Sequence, residues 1–97
     1  MPVQTVVELL REYLTDEGDS LKQRAGPEAV TVAQDIEALL DDRLRTESAY
    51  EPIWTRFLTD PPAGEANLIG ALEAQVEADP ALAKRLNGFV EEYHRVL

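Results

Sequence analysis

A chain of 97 residues with 44% hydrophobic and 29% charged residues has the length of one domain and the composition of a folded protein rather than a disordered one. Nineteen acids against nine bases give a formal charge of -10, spread over about 5,500 Å² for a folded chain of this mass, which argues against direct contact with nucleic acid or an anionic membrane. No cysteine is present, which excludes disulfides, thiolate metal sites and a cysteine nucleophile and fits a reducing cytoplasm.

Apolar residues recur three and four apart almost throughout, the period of helices that bury one face. The expected class is all-α, one domain over residues 1–97 built as a compact bundle of five short helices, or six. The opening string Met1-Pro2-Val3-Gln4-Thr5 lacks the basic start and apolar run of a signal peptide, and nothing approaches the roughly 18 apolar residues of a membrane span. Over about residues 2–16, Val6, Leu10, Tyr13 and Leu14 share one stripe, with Val3 and Val7 at its edge and Glu8, Arg11 and Glu12 outside it. The end of this first helix has two readings. Gly18 suits a glycine C-terminal cap, whereas Leu21 extends the same stripe if the helix runs on to Ala25.

Gly26-Pro27 breaks the chain and starts a second long helix that carries Val32, Ile36, Leu39, Leu40 and Leu44 to about Arg45. Ser48-Ala49-Tyr50-Glu51 has the spacing of a capping box, which places the next helix start at Ser48. Pro52 falls in its first turn, and Tyr50, Ile53, Trp54, Phe57 and Leu58 cluster on one side. Asp60-Pro61-Pro62-Ala63-Gly64 reads as a loop, since the residue before a proline is pushed out of helical geometry. A helix over about 65–78 then presents Leu68, Ile69, Leu72 and Val76. Asp79 caps a last helix with Pro80 in first position, lined by Leu82, Leu86, Phe89, Val90, Tyr93 and Val96.

Few residues suggest chemistry. Glu91 and His94 have the Glu-x-x-His spacing of di-iron carboxylate bundles, but on a helical wheel they turn outward while Phe89 and Tyr93 turn inward. No second such pair exists, so a metal-binding bundle ranks third among the functional readings. Asp16-Glu17-Gly18-Asp19 resembles a calcium loop only until the twelfth position, which is Pro27 rather than glutamate. Ser20 and Ser48 lack a nucleophile elbow, and no glycine-rich phosphate loop appears. The expectation is therefore no catalytic residue, no cofactor and no enzyme.

Binding residues are sought instead in two features. Tyr50, Trp54 and Phe57 form the densest aromatic group, suited to core packing or to a partly exposed anchor for a partner. The acids concentrate from Glu8 to Asp19 and from Asp60 to Asp79. Asp16, Glu17, Asp19, Glu73, Glu77 and Asp79 would dock onto a basic protein face or imitate nucleic-acid phosphates to block a DNA- or RNA-binding protein. The bases offer no comparable cluster, occurring at most as the pairs Lys22/Arg24, Arg43/Arg45 and Lys84/Arg85.

Residues 65–95 carry Leu68-Ile69-Gly70-Ala71-Leu72, then Asp79-Pro80-Ala81-Leu82-Ala83 and Leu86. This pattern resembles the helix, Asp-Pro, helix ending of small helical adaptor and effector-associated domains of bacterial signalling and conflict systems. The resemblance implies recruitment of a partner through helix-to-helix contact. The functional expectation is thus a small acidic protein–protein interaction module, an adaptor or accessory subunit. Its partner would be another protein, with a basic surface where the acids are used, and not nucleic acid or membrane. A homodimer through the apolar Val96-Leu97 end stays open.

Overall fold

The computed structural model describes residues 2–97, and Met1 of the opening string lies outside the described residues. Six helices follow in order, α1 (Pro2–Thr15), α2 (Asp19–Ala25), α3 (Pro27–Arg45), α4 (Glu51–Thr59), α5 (Pro61–Ala78) and α6 (Pro80–Val96). No strand occurs among the described residues, as the 3.6-residue period predicts.

Helix α1 runs through the middle of the bundle and packs against α2, α3, α5 and α6. Val3, Val6, Val7 and Leu10 are buried as their stripe predicts, but so is Leu9, which lies off that stripe. A single-stripe reading assumes one covered face, whereas a central helix is covered on two. The chain then turns at Glu17 and Gly18, whose φ angles of 57° and 90° lie in the left-handed region. Both readings of this segment hold in part: the helix ends before Gly18, yet Leu21 reaches the core from the new helix α2.

Two helix starts differ from expectation. The capping box at Ser48 does not form, and no side chain caps α4. The Glu47 carbonyl instead accepts from the amides of Tyr50 and Glu51, at 3.0 and 2.9 Å, so a backbone turn takes up the Glu51 amide that the Ser48 side chain would have capped. The segment Asp60–Gly64 is not a loop, because α5 already begins at Pro61 and only Asp60 leaves helical geometry, with φ −144° and ψ 84°. Prolines at the first two helical positions remove amides that would be orphaned anyway. Gly64 sits where α5 crosses α4, and a Cβ built there would lie 2.7 Å from the Phe57 Cα.

Asp79 alone joins α5 to α6 and caps α6 as expected, accepting from the amides of Ala81 and Leu82 at 3.1 and 3.3 Å. One continuous core gathers Leu21, Ile36, Leu40, Leu44, Trp54, Phe57, Leu68, Leu72, Leu82 and Leu86 with the inner residues of α1. Leu39 and Phe89, expected inside, are only half-buried, while Ala29 and Ala33 are fully covered. The folded surface of 5538 Å² equals the area expected for this mass, so the charge density inferred from the sequence holds. Among the described residues no helix is long and apolar enough to cross a membrane.

Candidate functional site

The aromatic group belongs mostly to the core. Trp54 and Phe57, one turn apart on α4, are fully buried with ring centroids 6.0 Å apart and planes 22° from parallel. The Trp54 indole Nε1–H donates to Asp41 Oδ1 at 2.9 Å, which gives its one polar atom the partner that burial demands. This bond and the neighbouring Arg45 hold the Asp41 carboxyl below the usual carboxylate range. In this fold neither Trp54 nor Phe57 offers a surface to a partner, and of the three only Tyr50 is partly accessible.

The first acidic cluster divides by role. Asp16 Oδ2 accepts from the Ser20 hydroxyl and from the Ser20 amide, the latter at 3.1 Å, tying the α1 exit to the first turn of α2. These bonds hold its carboxyl below the ordinary range although Oδ1 is shielded without a partner. Glu17 and Asp19 are exposed and form no ion pair among the described residues. Beside this turn, Arg24 of α2 reaches Glu12 of α1 and the Tyr93 hydroxyl of α6, its guanidinium 5.7 Å from the Tyr93 ring centre. Sequence reasoning did not find this knot, whose members lie 12 and 69 residues from Arg24.

The second cluster also contains one structural acid. Asp79 pairs with Arg43 of α3, whose Nε–H also donates to the buried Gln75 Oε1 at 3.2 Å, so one guanidinium clamps α3 to the α5–α6 junction. Arg43 and the α6 amides hold the Asp79 carboxyl low. Glu73 and Glu77, one turn apart on α5, are exposed and have no ion pair among the described residues. Glu91 and His94 are exposed on α6, as their wheel positions predict, and among the described residues no group of three or more His, Asp or Glu side chains is disposed to hold a metal.

Four arginines pair with four acids, Arg11 with Glu65, Arg24 with Glu12, Arg43 with Asp79 and Arg45 with Asp41. Of the nineteen acids and nine bases, fifteen acids and five bases therefore stand without an ion pair among the described residues. Unpaired surface acids are ordinary singly; a threefold excess over the unpaired bases makes the exterior anionic on balance. Comparisons with protein-family models, with curated proteins and with solved structures give no match.

Proposed function

We propose that this chain is a protein–protein interaction module, an adaptor or accessory subunit, that engages a partner with a basic surface. The observation that carries the reading is the excess of fifteen unpaired acids over five unpaired bases on a scaffold of helices joined by short connections. Fixed helices hold those carboxylates at set spacings, and a complementary basic face is then steered toward them and oriented by them. The resemblance of residues 65–95 to adaptor domains of bacterial signalling and conflict systems supports the same reading. Asp16 and Asp79 act mainly within the fold, so of the six acids singled out in the sequence Glu17, Asp19, Glu73 and Glu77 add to the general anionic field that steers such a face rather than to a defined contact.

Crosslinking the tagged full chain in its source cells, followed by reconstitution with the captured protein, tests this reading. A saturable stoichiometric complex that weakens on acidic-to-neutral substitution supports it, and the absence of any saturable protein complex refutes it. The salt dependence then identifies the kind of partner. Nucleic-acid mimicry requires the complex to collapse between about 50 and about 200 mM salt, as phosphate contacts do; an adaptor contact with an apolar centre retains most of its affinity over that range.

A further inference from the structure

Helices α3 and α6 lie side by side and antiparallel. Arg43 near the end of α3 meets Asp79 at the start of α6, while Glu28 at the start of α3 shares a hollow with Val96 at the end of α6. Between them a groove of about 450 Å³ opens to solvent. Its apolar floor is formed by Leu39 and Ala38 of α3 and Phe89 of α6. Asp35 and Asp42 stand on the α3 side, Arg85 on the α6 side, and none of the three has an ion-pair partner among the described residues.

A lone half-buried hydrophobic residue needs no explanation. Here two large apolar side chains from different helices line one groove, both on stripes whose period assigns them to the interior, with three unpaired charges around them. That arrangement suits an amphipathic helix lying in a groove. Asp35 and Asp42 are seven residues apart, two turns or about 10 Å along α3. A helix lying along the groove repeats basic residues at i and i+7 over the same distance. Arg85 on the opposite rim calls for one carboxylate on the other side of that helix, which fixes how it is turned about its axis.

We propose that the α3/α6 groove docks an amphipathic helix of a basic protein partner, its apolar residues entering between Leu39 and Phe89 and its Lys or Arg side chains pairing with Asp35 and Asp42. The proposal rests on the interaction reading above and gives that reading its site. A second copy of this chain fits poorly, because each copy carries a formal charge of -10 and would bring acids against Asp35 and Asp42.

The test titrates the isotope-labelled full chain with a synthetic peptide of about 16 residues, long enough to form a helix when bound. The peptide carries leucines at i, i+3 and i+7 and lysines flanking them two turns apart; a peptide of the same composition with the face scrambled is the control. Amide shift changes confined to α3 around 35–42 and α6 around 85–92, with at least about tenfold tighter binding than the control, are expected. Ala38→Arg fills the groove, and the double change D35K/D42K reverses its rim. Each should weaken binding about tenfold or more, while E73K/E77K, the same charge change on the outside of α5, should alter it less than about twofold.

All five substituted residues are exposed and without ion pairs among the described residues, so each variant should melt like the parent. Equal binding of the two peptides, shifts centred on other helices, equal weakening by E73K/E77K, or no saturable binding overturns the groove. If the complex captured from cells survives D35K/D42K unchanged, the groove falls and the interaction reading stands. If no protein partner is captured at all, the reading falls first.

Discussion

Substituting the mid-helix glycines tests the packing most directly, because the same change should have opposite signs at different positions. Alanine is favoured over glycine inside a helix by about 1 kcal/mol. At Gly70 of α5 and Gly88 of α6 a Cβ meets nothing within 4 Å, so Gly70→Ala and Gly88→Ala should each stabilise the fold by about 0.4–1 kcal/mol. At Gly64 the added atom would lie 2.7 Å from the Phe57 Cα and 2.8 Å from the Phe57 nitrogen. These are backbone atoms of a packed helix and cannot rotate aside, so α4 and α5 must separate. Overpacking of this kind costs about 1–3 kcal/mol, and a backbone clash belongs at the upper end. After the propensity gain the net loss for Gly64→Ala is about 2 kcal/mol, or roughly 10 °C in melting temperature for a domain of this size. Thermal and urea unfolding, followed by circular dichroism and by the fluorescence of Trp54, measure all three variants. A Gly64→Ala protein that melts at or above the parent would refute the close crossing of α4 and α5.

Asp41→Ala should strand the buried Trp54 Nε1–H, which donates to Asp41 Oδ1, and lower stability by about 1–3 kcal/mol; Asp41→Asn, which keeps an acceptor, should lose less in urea unfolding. Asp79→Ala should lower the melting temperature clearly more than Asp60→Ala, because Asp79 caps α6 and pairs with Arg43 while the Asp60 side chain makes no capping bond. Acid titration should destabilise the fold below about pH 4. The carboxyls of Asp16, Asp41 and Asp79 are held low, so they contribute stability above their unfolded value that is lost as pH falls through the folded one. Glu37 works in the opposite sense. Burial, with nearby Asp41, pushes its carboxyl up, so its charged form costs stability that protonation relieves first, and Glu37→Gln should remove that early gain from the pH–stability curve.

Most of the helical content was legible from the sequence because it depends on local rules. Asp79-Pro80 predicted the α6 start, and Gly26-Pro27 the α3 start, from residues within a single turn. The failures came where a local rule met an unforeseen competitor. At Ser48 the capping box lost to the Glu47 carbonyl, which accepts the Glu51 amide through the backbone. At Pro61-Pro62 the pre-proline rule removed one residue from helical geometry, not five, since a second proline in the first turn is itself compatible with a helix. Burial was less legible than helix type. The period places Leu39 and Phe89 on an inner stripe but carries no information on how far a neighbouring helix covers that stripe, so the α3/α6 groove left no trace in the sequence. Of the acids singled out, Asp79 announced its capping role, yet its pairing with Arg43 across 36 residues could not be read.

The anionic exterior follows in part from how the arginines are used. Arg11 joins α1 to α5, Arg24 joins α2 to α1 and α6, and Arg43 joins α3 to Gln75 and Asp79 at the α5–α6 junction. The fourth, Arg45, holds Asp41, which in turn receives the Trp54 indole. Among the described residues every ion-paired base is an arginine, and both lysines, Lys22 and Lys84, stand outside the ion pairs. A planar guanidinium with several donors can satisfy two acceptors at a helix junction, where a flexible ammonium cannot fix their geometry. Pairs this exposed contribute only about 0.2–1 kcal/mol each, so their effect is to set the relative position of helices more than to stabilise them. With four of nine bases engaged in ion pairs, three of them at such junctions, acids on the outer faces have few counterions of their own. Asp35 and Asp42 are among them, on the rim of the groove where two large apolar side chains remain only half-buried. The charge excess and the incomplete burial thus coincide at one place, which is why a basic amphipathic helix is the partner we propose for it.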